Sequence, residues 1–195
     1  MVAQLLIRMR HAPDRLLHGV RRRAALAMVV ARRRPTLVLV VCYGNVCRSP
    51  FGAAALRRAL AGTPIVVASG GFVGSDRRPP AEAIAAAAER GLDLSRHRSR
   101  LLVPDVMRAA GLVVVMEPGQ RDAVCARFGV HPRDVLVLGD LDPEPLGTRA
   151  IHDPVHQPAE VFDEVYARIE RCVGALAGAL KRLPRERTGL SAGGV

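Results

Sequence analysis

Four short runs of aliphatic residues stand out along the chain, and each run is continuous rather than alternating with polar residues. They are Leu37–Cys42, Ile65–Ala68, Leu112–Met116 and Val135–Leu138. A strand that is buried on both faces has this pattern, because neither face meets water. The four runs therefore predict four strands in the interior of a parallel sheet.

The stretches between these runs carry helical signals. The predicted helices are Pro50–Ala61, Pro80–Arg90, Gly119–Phe128 and Ala159–Leu183. The first follows Ser49, a favoured N-cap residue type, and has proline at its first position. The last repeats aliphatic residues at three- and four-residue steps, which gives one apolar face. This alternation predicts a single α/β domain, an open four-stranded parallel sheet with helices on both faces, Rossmann-like or flavodoxin-like.

The charge of the chain is unevenly distributed. A formal charge of +11 would by itself suggest a nucleic-acid partner. Residues 1–34, however, carry nine arginines against one acid, whereas residues 35–195 carry twenty bases against seventeen acids. We therefore divide the chain into an Arg-rich extension (1–34), expected to be disordered or a surface helix, a nearly neutral domain (35–183) and a flexible tail (184–195).

Three interpretations of the extension stay open: no function, attraction to an anionic membrane, or nucleic-acid binding. One side of a basic helix lying on lipid would be lined by Leu16, Leu17, Val20, Ala24 and Met28. Nucleic acid is the third of these interpretations and is not the expected partner, because no aromatic residues interleave with the arginines for base stacking. The apolar run Ala24–Ala31 is too short to span a bilayer, and no export signal is recognised. Four scattered cysteines favour a reducing, cytoplasmic setting.

The chemistry is concentrated between the first strand and the first helix, where parallel sheets bind ligands. This segment consists of Cys42, Tyr43, Gly44, Asn45, Val46, Cys47, Arg48 and Ser49. Backbone N–H groups at a helix N-terminus form an anion site, and Gly44 and Asn45 suit the left-handed turn that such a loop needs. The planar fork of Arg48 matches two phosphate oxygens. A thiol at the base of this cup, Cys42, is the predicted nucleophile.

The motif C-x5-R-S-P after a buried strand resembles the signature of the low-molecular-weight protein tyrosine phosphatases, and the likeness covers about residues 36–182. The resemblance implies that Cys42 is the nucleophile, that Arg48 binds the phosphoryl group and that Asp153, of an Asp-Pro pair before the last helix, is the general acid. It also implies a set of residues that hold the loop in shape. These are Asn45, Ser49, Ser69 and His97.

The implied activity is hydrolysis of phosphotyrosine in proteins through a cysteinyl phosphate, without a cofactor or a metal. A bacterial tyrosine kinase is a family-typical substrate protein, and the chain would act as a monomer or weak dimer. Family members commonly place an aromatic residue after the Asp-Pro pair, but Val155 and His156 stand there. Packing against a phenol ring would then either rely on Tyr43 or Phe72 or be weaker.

Two points stay open in the sequence. Cys47 either forms a reversible disulfide with Cys42, as in some members of the family, or is a packed loop thiol. The same fold also serves arsenate reductases, which need a redox pair of cysteines later in the chain, and Cys125 has no neighbouring partner of that kind. A non-catalytic phosphate-binding module is the other alternative.

Overall fold

The computed structural model describes residues 2–145 and 147–184, with the side chains described from residue 15 onward. Most of the predicted C-terminal tail, from residue 185, lies outside the described residues. Four strands alternate with six helices in this part of the chain. In order they are α1 (Val2–Val30), β1 (Leu37–Cys42), α2 (Arg48–Ala59), β2 (Val66–Gly71), α3 (Ala81–Glu89), α4 (Pro104–Ala109), β3 (Leu112–Val115), α5 (Pro118–Phe128), β4 (Val135–Val137) and α6 (Ala159–Lys181), with short 3-10 helices at Pro132–Asp134 and Leu138–Leu141.

The four strands form one parallel sheet in the order β2-β1-β3-β4, which confirms the predicted fold class. Alternate side chains of β1 enter opposite layers of the core. Val38 and Val40 belong to the layer that contains α2, α3 and α6, whereas Leu39 and Val41 belong to the layer beneath α5. Burial on both faces explains why the strands read as continuous aliphatic runs. Because all four strands are parallel, their carboxyl ends meet at one edge of the sheet.

Two predicted boundaries near that edge are wrong. Strand β2 extends to Gly71 rather than ending at Ala68, because Ser69, Gly70 and Gly71 pair with the last three residues of β1. Helix α2 begins at Arg48 rather than Pro50, with Cys47 at the N-cap position. Ser49 therefore does not cap this helix. Its hydroxyl group is engaged with the sulfur of Cys42 instead.

The Arg-rich extension contains a helix, α1, that packs against α6 and the 3-10 helix Leu138–Leu141. Ala25 and Val29 of α1 are buried in the main core. His18 Nε2 donates to the backbone oxygen of Asp142 at 3.0 Å, and Arg32 donates to that of Gly111 at 2.6 Å. The inner side of α1 is thus part of the domain's packing. No helix among the described residues is long and apolar enough to cross a membrane.

Candidate active site

The sulfur of Cys42 lies at the base of the predicted loop, directly after β1. The residue is buried, and its Sγ accepts hydrogen bonds from the Asn45 N–H at 3.2 Å and the Ser49 hydroxyl at 3.0 Å. Both donors come from the loop itself, which folds back over the strand end. A negative charge on this sulfur would therefore meet two hydrogen-bond donors.

Asn45 holds the loop in its curved shape. Its φ of 51° places it in the left-handed region, which asparagine tolerates better than most residues. Of the two residues expected to make this turn, Gly44 has no such φ in the structure. The Asn45 side chain donates to Ser49 Oγ at 2.9 Å and accepts from the Arg100 N–H at 2.8 Å. Asn45 thereby connects the loop to the segment that follows α3.

His97 supports the same turn from outside. Its Nε2 donates to the backbone oxygen of Asn45 at 2.8 Å, a contact in which that nitrogen carries the proton. Burial lowers the pKa of His97, and the nearby guanidinium of Arg100 lowers it further, against the opposing effect of the hydrogen bond to Asn45. A neutral imidazole is thus the form that suits this position.

Close packing brings β2 against the loop at Gly71. A Cβ atom there would lie 2.8 Å from the backbone nitrogen of Asn45 and 2.8 Å from the backbone oxygen of Tyr43, so a larger residue would displace the loop. Arg77 bridges the outer side by donating to the backbone oxygens of Gly44 at 2.7 Å and Val73 at 2.9 Å.

Among the described residues, Ser69 is the one predicted support residue whose side chain makes no hydrogen bond to the loop. It lies half-buried in β2, paired with Val40. Within the part of the chain that the structure describes, its hydroxyl group makes no hydrogen bond to the loop. The contact from β2 comes instead from the backbone oxygen of Gly70, which faces the Ser49 hydroxyl at 3.4 Å.

Arg48 is only 1% exposed and connects the loop to Glu117 and to the segment before α6. Its Nη1 donates to the backbone oxygen of Ile151 at 3.0 Å and to the carboxylate of Glu117, and its Nη2 donates to the carboxylate of Asp153. Its Nε is buried, with no hydrogen-bond partner among the described residues. The guanidinium therefore faces two carboxylates and keeps its Nε donor for another acceptor.

The segment before α6 places Asp153 opposite the loop. Ile151 is fully buried and its N–H donates to the backbone oxygen of Met116 at 2.9 Å, which ties the segment to the end of β3. Two residues later, the carboxylate of Asp153 reaches Arg48 while its side chain stays about one-third exposed. The predicted nucleophile, arginine and acid thus meet at one edge of the sheet.

Beside these groups lies a cleft of about 470 Å³, a size typical of small-molecule sites. Its lining includes Tyr43 and Phe72 but not Val155. The guanidinium of Arg127 lies 5.7 Å from the centre of the Phe72 ring, within range of a cation–π interaction. The two expected aromatic residues therefore do form the wall of this cleft.

Cys47 lies in the same loop but in a different environment. It is buried, and its backbone oxygen accepts a hydrogen bond from the Tyr166 hydroxyl at 3.3 Å. Burial, together with the negative charge of Asp153, raises the pKa of the Cys47 thiol to about 12. Both Cys42 and Cys47 are free thiols in this structure.

The sequence interpretation missed Glu117, which pairs with Arg48 at the end of β3. Gln120 fixes this carboxylate by donating to it at 3.1 Å, and its own side-chain oxygen accepts the Met116 N–H at 3.0 Å. The position directly after a predicted strand was a usable signal, because parallel strands end at one edge. Among the described residues, no group of three or more His, Cys, Asp or Glu side chains is arranged to hold a metal ion.

Known proteins resemble this chain over the same region. Residues 37–187 match the family described as Low molecular weight phosphotyrosine protein phosphatase. The probable low molecular weight protein-tyrosine-phosphatase EpsP of Ralstonia solanacearum is 32% identical over 146 residues, which cover 75% of this chain and 97% of that protein.

Two solved structures show the same architecture. The Erwinia amylovora tyrosine phosphatase AmsI matches with a TM-score of 0.69 and 30% identity, over 76% of this chain and 95% of that one. The arginine phosphatase YwlE from Geobacillus stearothermophilus matches with a TM-score of 0.67 and 31% identity, over 75% of this chain and 94% of that one.

Proposed function

The chain belongs to the low molecular weight phosphotyrosine protein phosphatase family, and from this membership we propose the residue roles by which it hydrolyses phosphotyrosine. It is a protein tyrosine phosphatase, and therefore a phosphoric monoester hydrolase. Cys42 is the nucleophile, Arg48 binds the phosphoryl group and Asp153 is the general acid. The observation that carries this assignment is that Arg48 and Asp153 are paired and line one cleft, while Cys42 accepts a hydrogen bond from Ser49, the neighbour of Arg48 in the loop.

Binding begins with an exchange of partners at Arg48. Its two terminal nitrogens contact Glu117 and Asp153 in the structure, and its Nε has no partner among the described residues. An arriving phosphoryl group offers three oxygens to the guanidinium and to the N–H groups of the loop. Arg48 then turns from the carboxylates to the phosphate, and Asp153 is released to face the leaving oxygen.

The first chemical step transfers the phosphoryl group to sulfur. The sulfur of Cys42 attacks phosphorus in line, the bond between phosphorus and the tyrosine oxygen breaks, and the Asp153 proton passes to that oxygen. The products are a cysteinyl phosphate and the free phenol. The loop N–H groups and Arg48 bind the negatively charged phosphoryl oxygens throughout this step. Because these donors are already in place, the transition state is stabilised without reorganisation of solvent.

The second step returns the enzyme to its starting state. Water attacks phosphorus, Asp153 accepts one of its protons, the bond between sulfur and phosphorus breaks, and inorganic phosphate leaves. The hydrogen bonds from Asn45 and Ser49 to the sulfur make it a better leaving group. Asn45 and Ser49 thereby support the reaction at both steps, while His97 holds Asn45.

The shape of the cleft favours a phenyl ring attached to the phosphoryl group. Tyr43 and Phe72 line the wall beside Arg48, and two aromatic side chains pack well on the flat face of a phosphotyrosine ring. A phosphorylated arginine, the kind of group named for the YwlE relative, has no aromatic ring to use this wall. We therefore infer a preference for phosphotyrosine.

A panel of phosphopeptides tests the function. Peptides bearing phosphotyrosine, phosphoserine or phosphoarginine are assayed with the wild type, with Cys42→Ser and with Cys125→Ser as a control at a half-buried cysteine on α5. We expect turnover of the phosphotyrosine peptide, abolished by Cys42→Ser and kept by Cys125→Ser. Faster turnover of phosphoarginine would overturn the preference, and phosphate binding without turnover would indicate a binding module. Arsenate-dependent consumption of thiols would indicate a reductase.

Cys47 is proposed as a poor redox partner for Cys42 at neutral pH. A thiolate is needed to attack an oxidised sulfur, and burial raises the pKa of Cys47 to about 12. Disulfide formation after peroxide treatment should therefore be slow near neutral pH and should accelerate as the pH rises. Rapid formation at neutral pH, measured by mass spectrometry, would overturn this proposal.

A further inference from the structure

Helix α1 has a second apolar side that the domain does not cover. The inner side of the helix is buried at Ala25 and Val29. The opposite side, which we call the α1 outer face, consists of Leu16, Leu17, Val20, Arg23 and Ala24, all exposed. The side chains of Leu16 and Val20 are 82% and 55% exposed. Large aliphatic side chains so exposed on one side of a helix indicate a surface for interaction.

The spacing of these residues places them on one surface. Leu16, Val20 and Ala24 follow one another at four-residue steps, which stack on one side of an α-helix. Met28, which the sequence pattern had grouped with them, is partly buried against the core instead. The α1 outer face is therefore narrower than the sequence suggested, but its aliphatic residues are contiguous.

The charged side chains from Arg15 to Arg33 are all basic, and Asp14 is the nearest acid in the sequence. Arg23 belongs to the face, and Arg15 and Arg33 are exposed near its two ends. No acidic residue occurs between Arg15 and Ser75 in the sequence. The basic residues nearest the body are engaged differently, since Arg32 donates to the backbone oxygens of Gly111 and Arg133.

We propose that the α1 outer face binds the surface of an anionic lipid bilayer. Aliphatic side chains enter the acyl boundary while flanking arginines meet lipid phosphates, which is how basic amphipathic helices bind. A second copy of this chain fits less well, because it would bring Arg23 against another positively charged helix. Nucleic acid would pair with the arginines, but it would not bury the aliphatic side chains of Leu16 and Val20.

The packing of α1 makes this surface preorganised. Isolated amphipathic helices usually form only on contact with lipid and lose chain entropy in doing so. Here Val29 and Ala25 hold the helix on α6, and His18 is bonded to the backbone of Asp142. The outer face therefore exists before any contact with lipid, and its orientation relative to the catalytic edge is set by the domain.

Vesicle sedimentation with the full chain tests the proposal. We expect binding to vesicles of equal parts phosphatidylcholine and phosphatidylglycerol, little binding to phosphatidylcholine alone, and release by salt. The double variant Leu16→Gln/Val20→Gln should weaken binding about tenfold or more, because it removes the buried aliphatic area. Each of Arg15→Gln, Arg23→Gln and Arg33→Gln should weaken binding about fivefold, the effect of one cation near an anionic surface.

Matched control variants distinguish binding through the α1 outer face from non-specific adsorption of the protein to vesicles. Val66→Gln changes a 62% exposed valine on the opposite edge strand, and Arg108→Gln changes an exposed arginine on α4. Both should bind vesicles like the wild type, and all variants should keep wild-type turnover of a small aryl phosphate and wild-type circular dichroism.

Three results would overturn the proposal. The first is equal binding to neutral and anionic vesicles or to neither. The second is equal loss in Val66→Gln and in the α1 variants. The third is a different partner for the same face, seen either as a dimer in sedimentation equilibrium that Leu16→Gln/Val20→Gln dissociates, or as RNA binding that the arginine variants abolish.

Discussion

Arginine is buried in the loop Cys42–Ser49 but exposed to solvent on the outer face of helix α1. Arg48 is buried, and its guanidinium donates to three acceptors, the carboxylates of Glu117 and Asp153 and the backbone oxygen of Ile151. Arg15 and Arg23 of α1 are exposed to solvent. A buried cation acts over a short distance on one bound group, whereas exposed cations act together on a charged surface and are screened by salt. Net charge alone does not distinguish these two uses.

The largest effect should come from replacing the buried arginine. Arg48→Lys keeps the positive charge but loses the planar fork, so we expect kcat for an aryl phosphate to fall about a thousandfold. Arg23→Lys on α1 should leave kcat unchanged, because Arg23 does not line the cleft that contains Arg48. Steady-state kinetics of both variants, with thermal melting to verify folding, makes the measurement. Equal kcat values for Arg48→Lys and Arg23→Lys would contradict the assignment of Arg48, and not Arg23, to phosphate binding.

The next largest effect concerns the acid that the loop arginine holds. Asp153→Asn should lower kcat for phenyl phosphate about a hundredfold or more, because the phenolate must leave without a proton. The loss should shrink for p-nitrophenyl phosphate, whose leaving group is stable as an anion. Asp76→Asn, an exposed acid outside the site, is the control. A uniform loss across leaving groups would assign the acid elsewhere.

A stability measurement tests whether α1 belongs to the domain. Val29→Ala removes two methyl groups from a fully buried side chain, so the free energy of unfolding should fall by about 2 kcal/mol. Val30→Ala changes a 51% exposed neighbour and should have almost no effect. Urea denaturation measures both, with kcat unchanged in each. Equal stabilities for Val29→Ala and Val30→Ala would mean that α1 does not pack as described.

A smaller effect is expected at the carboxylate that shares Arg48. Glu117→Gln keeps the shape of the side chain but removes a negative charge that competes with phosphate for the guanidinium. Inhibition by inorganic phosphate should therefore become about fivefold stronger. Asp122→Asn, at an exposed acid of α5, is the matched control. If phosphate instead bound more weakly to Glu117→Gln, this carboxylate would serve to position Arg48.

The smallest effect should depend on pH and should be confined to the loop. The pKa of His97 is lowered from 6.5 in the folded protein, so the unfolded chain binds a proton more readily at acid pH. The stability that neutral His97 contributes is therefore complete above pH 6.5 and declines as the pH falls below it. Urea denaturation across this range should show a shallower decline of the free energy of unfolding in His97→Gln than in the wild type, and an unchanged slope would contradict this assignment.

Local sequence was sufficient for the class and order of the central elements. The aliphatic runs of β1, β3 and β4 predicted buried strands, because burial on both faces selects for uninterrupted aliphatic residues. The end of β2 was predicted wrongly, since Ser69, Gly70 and Gly71 have low strand propensity and are held there by pairing with β1. In this case tertiary packing outweighed local preference.

Some residues of the candidate site could likewise be predicted from the local sequence, and others could not. Cys42, Arg48 and Asn45 lie within one short loop, where spacing along the chain nearly determines distance in space. Glu117 carried no motif, and its contact with Arg48 depends on β3 ending at the same edge as β1. Ser69 was predicted to support the loop from its family position, and in the structure it pairs with Val40 of β1, with no hydrogen bond from its hydroxyl group to the loop among the described residues.

By itself, the sequence determined the α/β class, the family and the loop that holds the proposed nucleophile, because these depend on hydrophobic periodicity and on residues close together in the chain. Only the tertiary structure decided that Glu117 and Asp153 share Arg48, that Tyr43 and Phe72 line one cleft, and that α1 has one buried and one exposed side. Those features depend on distances between segments far apart in the chain, and such distances are set by how helices pack on the sheet.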